Sequence, residues 1–280
     1  AGYCFGVRDA VNSAYDMSKK YGEVYMLGDI VHNESVVDDL AKEGVKVVEK
    51  LDQIPKDKPV LFRAHGTAKD VWQKAEKQKM NIIDATCPLV HEIHHEVKAL
   101  HEEGRKIIII GDHGHDEVVG IASQIPDPII IASVEEAKAL RKTKKAGIVS
   151  QSTQTIENVQ DIINILMTKV FDLRFVNTIC FPTKRNQEQI KELSEITDLM
   201  IIIGSFTSAN SKRLAELSKE RNKNTYQVTC AAEIDSAWIA SDVNSIGISA
   251  GASTPDWIIE SVIKKVKEIT NTEEKETTHE

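Results

Sequence analysis

Hydrophobic and polar positions along this 280-residue chain follow two alternating rhythms. Short runs rich in isoleucine and valine, such as Ile107-Ile-Ile-Ile110 and Met200-Ile-Ile-Ile203, stop abruptly at glycine and polar residues. Runs of this length and β-branched composition read as buried strands. They predict strands at 24–30, 45–48, 60–63, 82–84, 107–111, 129–132, 147–150, 175–177, 200–204, 225–228 and 245–249. Amphipathic stretches lie between them and predict helices at 34–43, 68–79, 89–103, 117–124, 134–141, 156–168, 184–197, 209–219 and 255–270. Pro255 fits the first turn of the last helix, where a missing amide hydrogen costs nothing. Strand and helix alternating in this way predict an α/β fold with mainly parallel sheets.

Many of the predicted strands run straight into a polar cluster. These clusters are Val31-His-Asn33, Ala64-His-Gly66, Ala85-Thr-Cys87, the stretch from Asp112 to Glu117, Ser150-Gln-Ser-Thr153, Thr178-Ile-Cys180, the stretch from Ser205 to Asn210, and Ala250-Gly-Ala-Ser253. Open parallel sheets bind ligands beyond the carboxyl ends of their strands, where loops meet helix N-termini. The clusters are therefore the candidate site. Breaks near the two later clustered cysteines divide the chain into three α/β units, 1–87, 88–179 and 180–270. The remaining stretch, 271–280, is polar and acidic without a hydrophobic period and is expected to be disordered.

Charge narrows the choice of partner. The formal net charge is −8, with 35 basic against 43 acidic side chains, so no general nucleic-acid binding is expected of this domain. No apolar run is long enough for a membrane span, and no secretory leader precedes the first glycine. Four cysteines in a chain of this size do not make a secreted disulfide scaffold, so a reducing, cytoplasmic setting is expected.

The cysteines then change the picture. Cys4, Cys87 and Cys180 lie nearly a third of the chain apart, each followed by a helix-like stretch, whereas Cys230 breaks the spacing. A single buried cysteine is usually a small hydrophobe. Three in equivalent settings point to a shared metal centre. Three thiolates holding an iron-sulfur cluster leave one iron open to substrate, unlike a closed structural zinc site. Close Cys-x-x-Cys pairs build local knuckles, but ligands this far apart in sequence require a prefolded site.

His32, His65 and His115 share strand-end settings and suit an anion-facing pocket, although a loop histidine taken singly is ordinarily just solvated. Glu117 follows His115 at a predicted helix start, where it serves either as a proton donor or as a helix-dipole partner. His91-Glu-Ile-His-His95 matches the His-Glu-x-x-His zinc signature. No third ligand follows at protease spacing, so a solvated helix face is the expectation there and zinc hydrolysis the alternative. The turns Ser208-Ala209-Asn210 and Ala250-Gly-Ala-Ser253 offer hydroxyls, an amide and backbone N–H groups of the kind that cradle phosphate, or that simply cap helices.

These motifs together resemble the LytB family of 4-hydroxy-3-methylbut-2-enyl diphosphate reductases. The resemblance spans essentially the whole chain and rests on Gly2-Tyr-Cys-Phe-Gly-Val7, Val31-His-Asn33, Ala64-His-Gly66, Asp84-Ala-Thr-Cys-Pro-Leu-Val90, Gly114-His-Asp-Glu-Val-Val-Gly120, Thr178-Ile-Cys180, Ser208-Ala-Asn-Ser-Lys-Arg-Leu214 and Ala250-Gly-Ala-Ser-Thr-Pro-Asp256. It implies a trefoil of three small α/β domains around a central 4Fe-4S cluster held by Cys4, Cys87 and Cys180. It also implies an allylic diphosphate substrate, bound by His32, His65, Ser208, Asn210 and Ser253 with His115 in the same group, and Glu117 as the source of protons. The implied reaction is a two-electron reductive dehydroxylation to isopentenyl and dimethylallyl diphosphate. No nicotinamide or flavin motif is visible, so ferredoxin or flavodoxin is the expected electron donor. A non-catalytic iron-sulfur carrier or sensor is the alternative.

The chain departs from the family pattern in three places. Ser152 stands where members commonly have threonine, which keeps the hydroxyl, so the resemblance implies a substrate contact from Ser152 or its neighbour. Ala209 stands within what is often Ser-Ser-Asn, so its backbone amide is expected to serve in place of a side chain. The chain opens at Ala1 without the usual leading strand and reads as truncated there; the acidic tail reads as a cut linker, with a fused S1-type RNA-binding region beyond it as the further expectation.

Overall fold

The structure, a computed structural model, describes residues 2–270, so the expectation for the acidic tail lies outside the described residues. The chain divides into two compact units, Cys4–Lys184 and Ala1–Tyr3 with Arg185–Glu280. Among the described residues the three sheets are all parallel, as expected of an α/β chain.

The larger unit holds two four-stranded sheets. In the first, β1 (Val24–Leu27), β2 (Val45–Val48), β3 (Val60–Phe62) and β4 (Ile82–Asp84) lie in the order β2-β1-β3-β4. Helices α1 (Phe5–Tyr21), α2 (Glu34–Lys42) and α3 (Lys69–Lys77) accompany them. In the second, β5 (Lys106–Ile110), β6 (Ile129–Ile131), β7 (Thr143–Ser150) and β8 (Val170–Phe175) lie in the order β6-β5-β7-β8. Here the helices are α4 (Pro88–Glu102), α5 (Asp116–Ala122), α6 (Val134–Ala139) and α7 (Ile156–Met167).

The continuous isoleucine run of β5 is explained by burial on both faces. Ile108 and Ile110 pack with Val159, Ile162 and Leu166 of α7, whereas Ile107 and Ile109 pack with Ile93, Val97 and Leu100 of α4 and Val118 and Ile121 of α5. Each fully buried isoleucine is worth about 1.5–3 kcal/mol relative to an exposed one. This double-sided core fixes the carboxyl ends of the strands, where the polar clusters sit.

The smaller unit repeats the scheme with β9 (Leu199–Ile203), β10 (Thr225–Val228) and β11 (Ile246–Ala250) in the order β10-β9-β11. Met200 and Ile202 face Leu214 and Leu217 of α9 (Ala209–Arg221), and Ile201 and Ile203 face Ile258 and Val262 of α10 (Asp256–Thr270). Helix α8 (Phe181–Ile196) contains the boundary between the units.

Several elements depart from the sequence reading, among them β1, which ends at Leu27 rather than at 30. Helix α1, undelimited there, buries Gly6, Ala10, Val11, Ala14 and Ser18. A stripe of such small residues carries little hydrophobic signal. Strand β7 begins at Thr143 rather than at 147, and β8 covers Val170–Phe175 rather than 175–177. Most of the added positions are polar or exposed, including Lys144 and Phe171 at 91% exposure, although Ala146 and Val170 are buried, and β8 is the outer edge of the sheet. Among the described residues, no helix is long and apolar enough to cross a membrane.

Candidate functional site

In the larger unit the strand-end clusters converge. Beyond β1, Asn33 caps α2, its Oδ1 accepting from the Val36 amide at 3.2 Å, and this turn carries His32. Beyond β3, Gly66 takes a φ of 86°, a left-handed turn that suits glycine, and presents His65. Beyond β5, His115 is the N-cap of α5. The rings of His32 and His65 stack at 4.3 Å, and His115 meets them edge-on at 5.4 and 5.9 Å. Three imidazoles drawn from segments far apart in sequence therefore share one locus.

Their electrostatics follow from enclosure. Burial is the main cause holding His65 well below the ordinary imidazole range, with His32, His115 and Arg63 adding to it. Burial also lowers His32, with Asp116 opposing and Arg63 assisting. The Nδ1 of His65 is sealed from solvent and has no hydrogen-bond partner among the described residues. His115 Nδ1 accepts from the Glu117 amide at 3.1 Å, so the neutral ring carries its proton on Nε2. Sequence reasoning missed Arg63, which donates to Asp116 at 2.6 Å and stands beside the group as its cation.

Glu117 is 1% exposed and held at both oxygens. The Ser152 amide donates to Oε1 at 2.6 Å and the Ser152 hydroxyl to Oε2 at 2.8 Å. Ser152 lies on the turn after β7, and its carbonyl accepts from the Cys180 amide at 3.0 Å. Glu117 and Cys180 also sense each other directly, since the carboxylate charge helps raise the Cys180 thiol.

The three spaced cysteines all lie in the larger unit, and Cys230 lies in the smaller. Each of the three immediately precedes a helix: Cys4 before α1, Cys87 before α4 with Pro88 at its first turn, and Cys180 before α8. Helix N-termini favour anionic sulfur. Burial raises all three thiols, Cys87 to about 11, and the other two cysteines add to the rise at Cys87. Gly6 lies so close to Cys87 that a Cβ there would run into its Sγ, and Thr183 Oγ1 lies 3.0 Å from the Sγ of Cys180. Among the described residues, no three His, Cys, Asp or Glu side chains close on one point as a single-ion site requires. Thiols that sense one another at helix starts, with Gly6 permitting close approach to Cys87, could hold a larger multi-iron group.

The zinc-like helix segment behaves differently from its sequence reading. His91 contacts Asp84 at 2.8 Å, but His94 is buried at 8% exposure, so this stretch is not simply a solvated face. Burial, with help from His91 and Lys98, lowers His94 to about 4.

The smaller unit builds its own polar corner at the ends of β9 and β11. Ser208 caps α9, its hydroxyl accepting from the Ser211 amide at 3.3 Å, and Ala209 is the first residue of that helix. Asn210 and Ser211 are buried, and Asn210 Nδ2 and Ser211 Oγ have no hydrogen-bond partner among the described residues. Both lie against Gly251, where a Cβ would collide with Ser211 Oγ, and Ser253 follows two residues later. Ser211 was not singled out from sequence; its place one turn after the Ser208 cap was the available signal.

Known proteins resemble this chain along nearly its whole length. A family model described as LytB protein matches residues 1–267. A 4-hydroxy-3-methylbut-2-enyl diphosphate reductase of Geobacter metallireducens is 39% identical over 270 residues, covering 96% of this chain and 95% of that protein. One from Thermoanaerobacter pseudethanolicus is 38% identical over 272 residues, covering 95% and 94%. The solved E-1-hydroxy-2-methyl-but-2-enyl-4-diphosphate reductase of Plasmodium falciparum superposes with a TM-score of 0.91 at 30% identity, covering 95% of this chain and 85% of that one. A second solved structure, of an (E)-4-hydroxy-3-methyl-but-2-enyl diphosphate reductase, gives a TM-score of 0.69 at 37% identity, with 96% of each chain covered. With a family match along nearly its full length and relatives of this identity and coverage, the chain belongs to the LytB protein family.

Proposed function

We propose that this chain is an iron-sulfur oxidoreductase that converts 4-hydroxy-3-methylbut-2-enyl diphosphate to isopentenyl and dimethylallyl diphosphate. The observation that carries the reading is Glu117, a buried carboxylate fixed by Ser152 and within electrostatic reach of the Cys180 thiol. A proton source beside a cysteine-rich centre is what a reductive loss of hydroxide requires. The balanced reaction consumes two electrons and two protons, breaks the allylic C–O bond, forms a C–H bond and releases water.

Cys4, Cys87 and Cys180 would hold a 4Fe-4S cluster, which supplies electrons and a Lewis-acidic iron. The chain's own groups do the rest. Hydroxide is a poor leaving group, so a proton delivered from a Glu117 carboxyl oxygen lets the oxygen depart as water. Ser152 holds that carboxyl in place through the transfer. His32 and His65, with Arg63 beside them, meet the diphosphate, and His115 presents its Nε2–H to the same ligand group. Ser208, Asn210 and Ser253, together with the amide of Ala209, contribute hydroxyls and N–H donors to the diphosphate. The buried Nδ2 of Asn210, unpartnered among the described residues, supports this role, because a buried donor left unsatisfied costs about 1–3 kcal/mol unless a ligand offsets it. Electrons come from ferredoxin or flavodoxin, in a reducing cytoplasm suited to free thiols.

The test is anaerobic reconstitution of the full chain with iron and sulfide, followed by turnover with dithionite and a reduced viologen. We expect conversion to both products by the wild type and loss of at least about a hundredfold in kcat for Glu117→Gln at nearly unchanged KM. A fully loaded chain that binds the substrate and leaves it intact would refute the reading.

A further inference from the structure

Helix α4 buries Val90, Ile93, His94, Val97 and Leu100. His94 is the one polar member of that stripe, and its Nε2 is sealed from water without a hydrogen-bond partner among the described residues. A buried polar atom left unpaired is costly, and an aliphatic residue there would avoid the cost. The ring's surroundings explain what it does. A Cβ at Gly66 would lie 3.2 Å from His94 Cε1 and 3.4 Å from Nε2, and one at Gly120 would lie 3.5 Å from Nε2. Gly120 itself packs on the neighbouring turn, its Cβ position being 3.8 Å from the His65 carbonyl oxygen and the same distance from the Gly66 carbonyl carbon.

Three backbone segments thus meet at one flat ring: α4, the turn that presents His65, and α5, which begins at His115 and carries Glu117 one turn before Gly120. Two glycines leave a slot, and an imidazole fills it. We propose that His94 is a positioning residue that seats the His65–Gly66 turn against α5, and so sets His65 relative to His115 and Glu117. The inference deepens the proposed function and rests on its reading of those three residues as substrate-facing.

The experiment uses the full chain reconstituted with iron and sulfide, with imidazole-labelled histidine, and follows His94→Ala, His94→Asn and His94→Phe. Emptying the slot lets the His65 turn relax toward water. In the Ala variant the NMR titration of His65 should move upward toward the ordinary imidazole range, and KM should rise about tenfold while kcat changes less, because sub-ångström misplacement of binding groups is costly. Phe refills the slot with a flat ring and should restore both values. If His94→Ala does not fold, His94→Asn, which leaves the Nε2 end of the slot empty, carries the same expectation. A folded Ala or Asn variant with wild-type His65 titration and KM overturns the proposal, as does a Phe variant as impaired as the Ala one. Should the wild type lack turnover, the functional reading fails, whereas the His65 titration still decides the role of His94.

Discussion

Ser152 holds Glu117 at both carboxylate oxygens, through its amide at 2.6 Å and its hydroxyl at 2.8 Å, across 35 residues of sequence. Removing only the hydroxyl separates the two anchors. In Ser152→Ala the amide still binds Oε1, but Oε2 loses the Ser152 hydroxyl. A hydrogen bond to a charged group is worth about 1.5–3 kcal/mol, so thermal denaturation should show a loss of that order. Turnover should fall about tenfold as the carboxyl gains freedom to turn. Ser152→Thr keeps the hydroxyl and should restore both quantities; a threonine variant as impaired as alanine would show that the hydroxyl is not what matters.

Binding of the diphosphate should take up protons. His32 and His65 are lowered in the free protein, chiefly by burial. A diphosphate brought beside them favours their charged forms and raises both values. Between the free and bound values the complex holds more protons than the free chain, so affinity strengthens as pH falls through that window. Calorimetry with inorganic pyrophosphate, run in buffers of different ionisation enthalpy between pH 8 and pH 6, measures the uptake directly. Arg63→Gln should weaken binding at every pH. Binding that releases protons would contradict the role of these histidines.

Gly6 permits the close approach of α1 to Cys87. In an ordinary helix Gly→Ala gains about 1 kcal/mol of propensity, so Gly6→Ala should not harm α1 by itself. Its methyl group instead runs into the Cys87 sulfur. The expected outcome is a folded chain by circular dichroism that retains less than about half the wild-type iron after reconstitution, since a thiol pushed out of place by even an ångström would hold iron poorly. Iron content equal to the wild type would mean that Cys87 is not held where the thiols must act together.

Much of this architecture is legible in the chain because burial leaves a mark on composition. The isoleucine runs of β5 and β9 announce strands covered on both faces, and the polar residues that stop them mark the ends where the site forms. Where burial leaves no such mark the reading loses precision, as with the small-residue stripe of α1 and the charged edge strand β8, whose Asp172 receives Arg105. The chemistry of the site was visible as residue types, but its pairings were not. Arg63 reaches Asp116 across 53 residues, a partnership that only the packing of α5 beside the first sheet creates. His94 is instructive for another reason. It falls on the buried stripe with Val90, Ile93 and Val97, yet its polarity and histidine neighbours disguise the helical spacing.

That burial gives the chain an acid-sensitive joint. His94 is lowered to about 4 in the folded state, first by desolvation and then by His91 and Lys98, with Asp84 opposing. In the unfolded chain it returns to about 6.5. Above pH 6.5 the ring is neutral in both states and costs nothing in proton linkage. As pH falls from 6.5 toward 4, the unfolded chain takes up a proton that the folded chain refuses, so stability declines; below 4 both states are protonated and this contribution levels off. The full shift corresponds to a loss of up to about 3 kcal/mol. Urea denaturation between pH 7 and pH 4 should show the decline, and His94→Phe, which cannot titrate, should flatten it by a comparable amount. Equal slopes in the two proteins would assign the acid sensitivity to other groups and leave His94 with an unshifted ring.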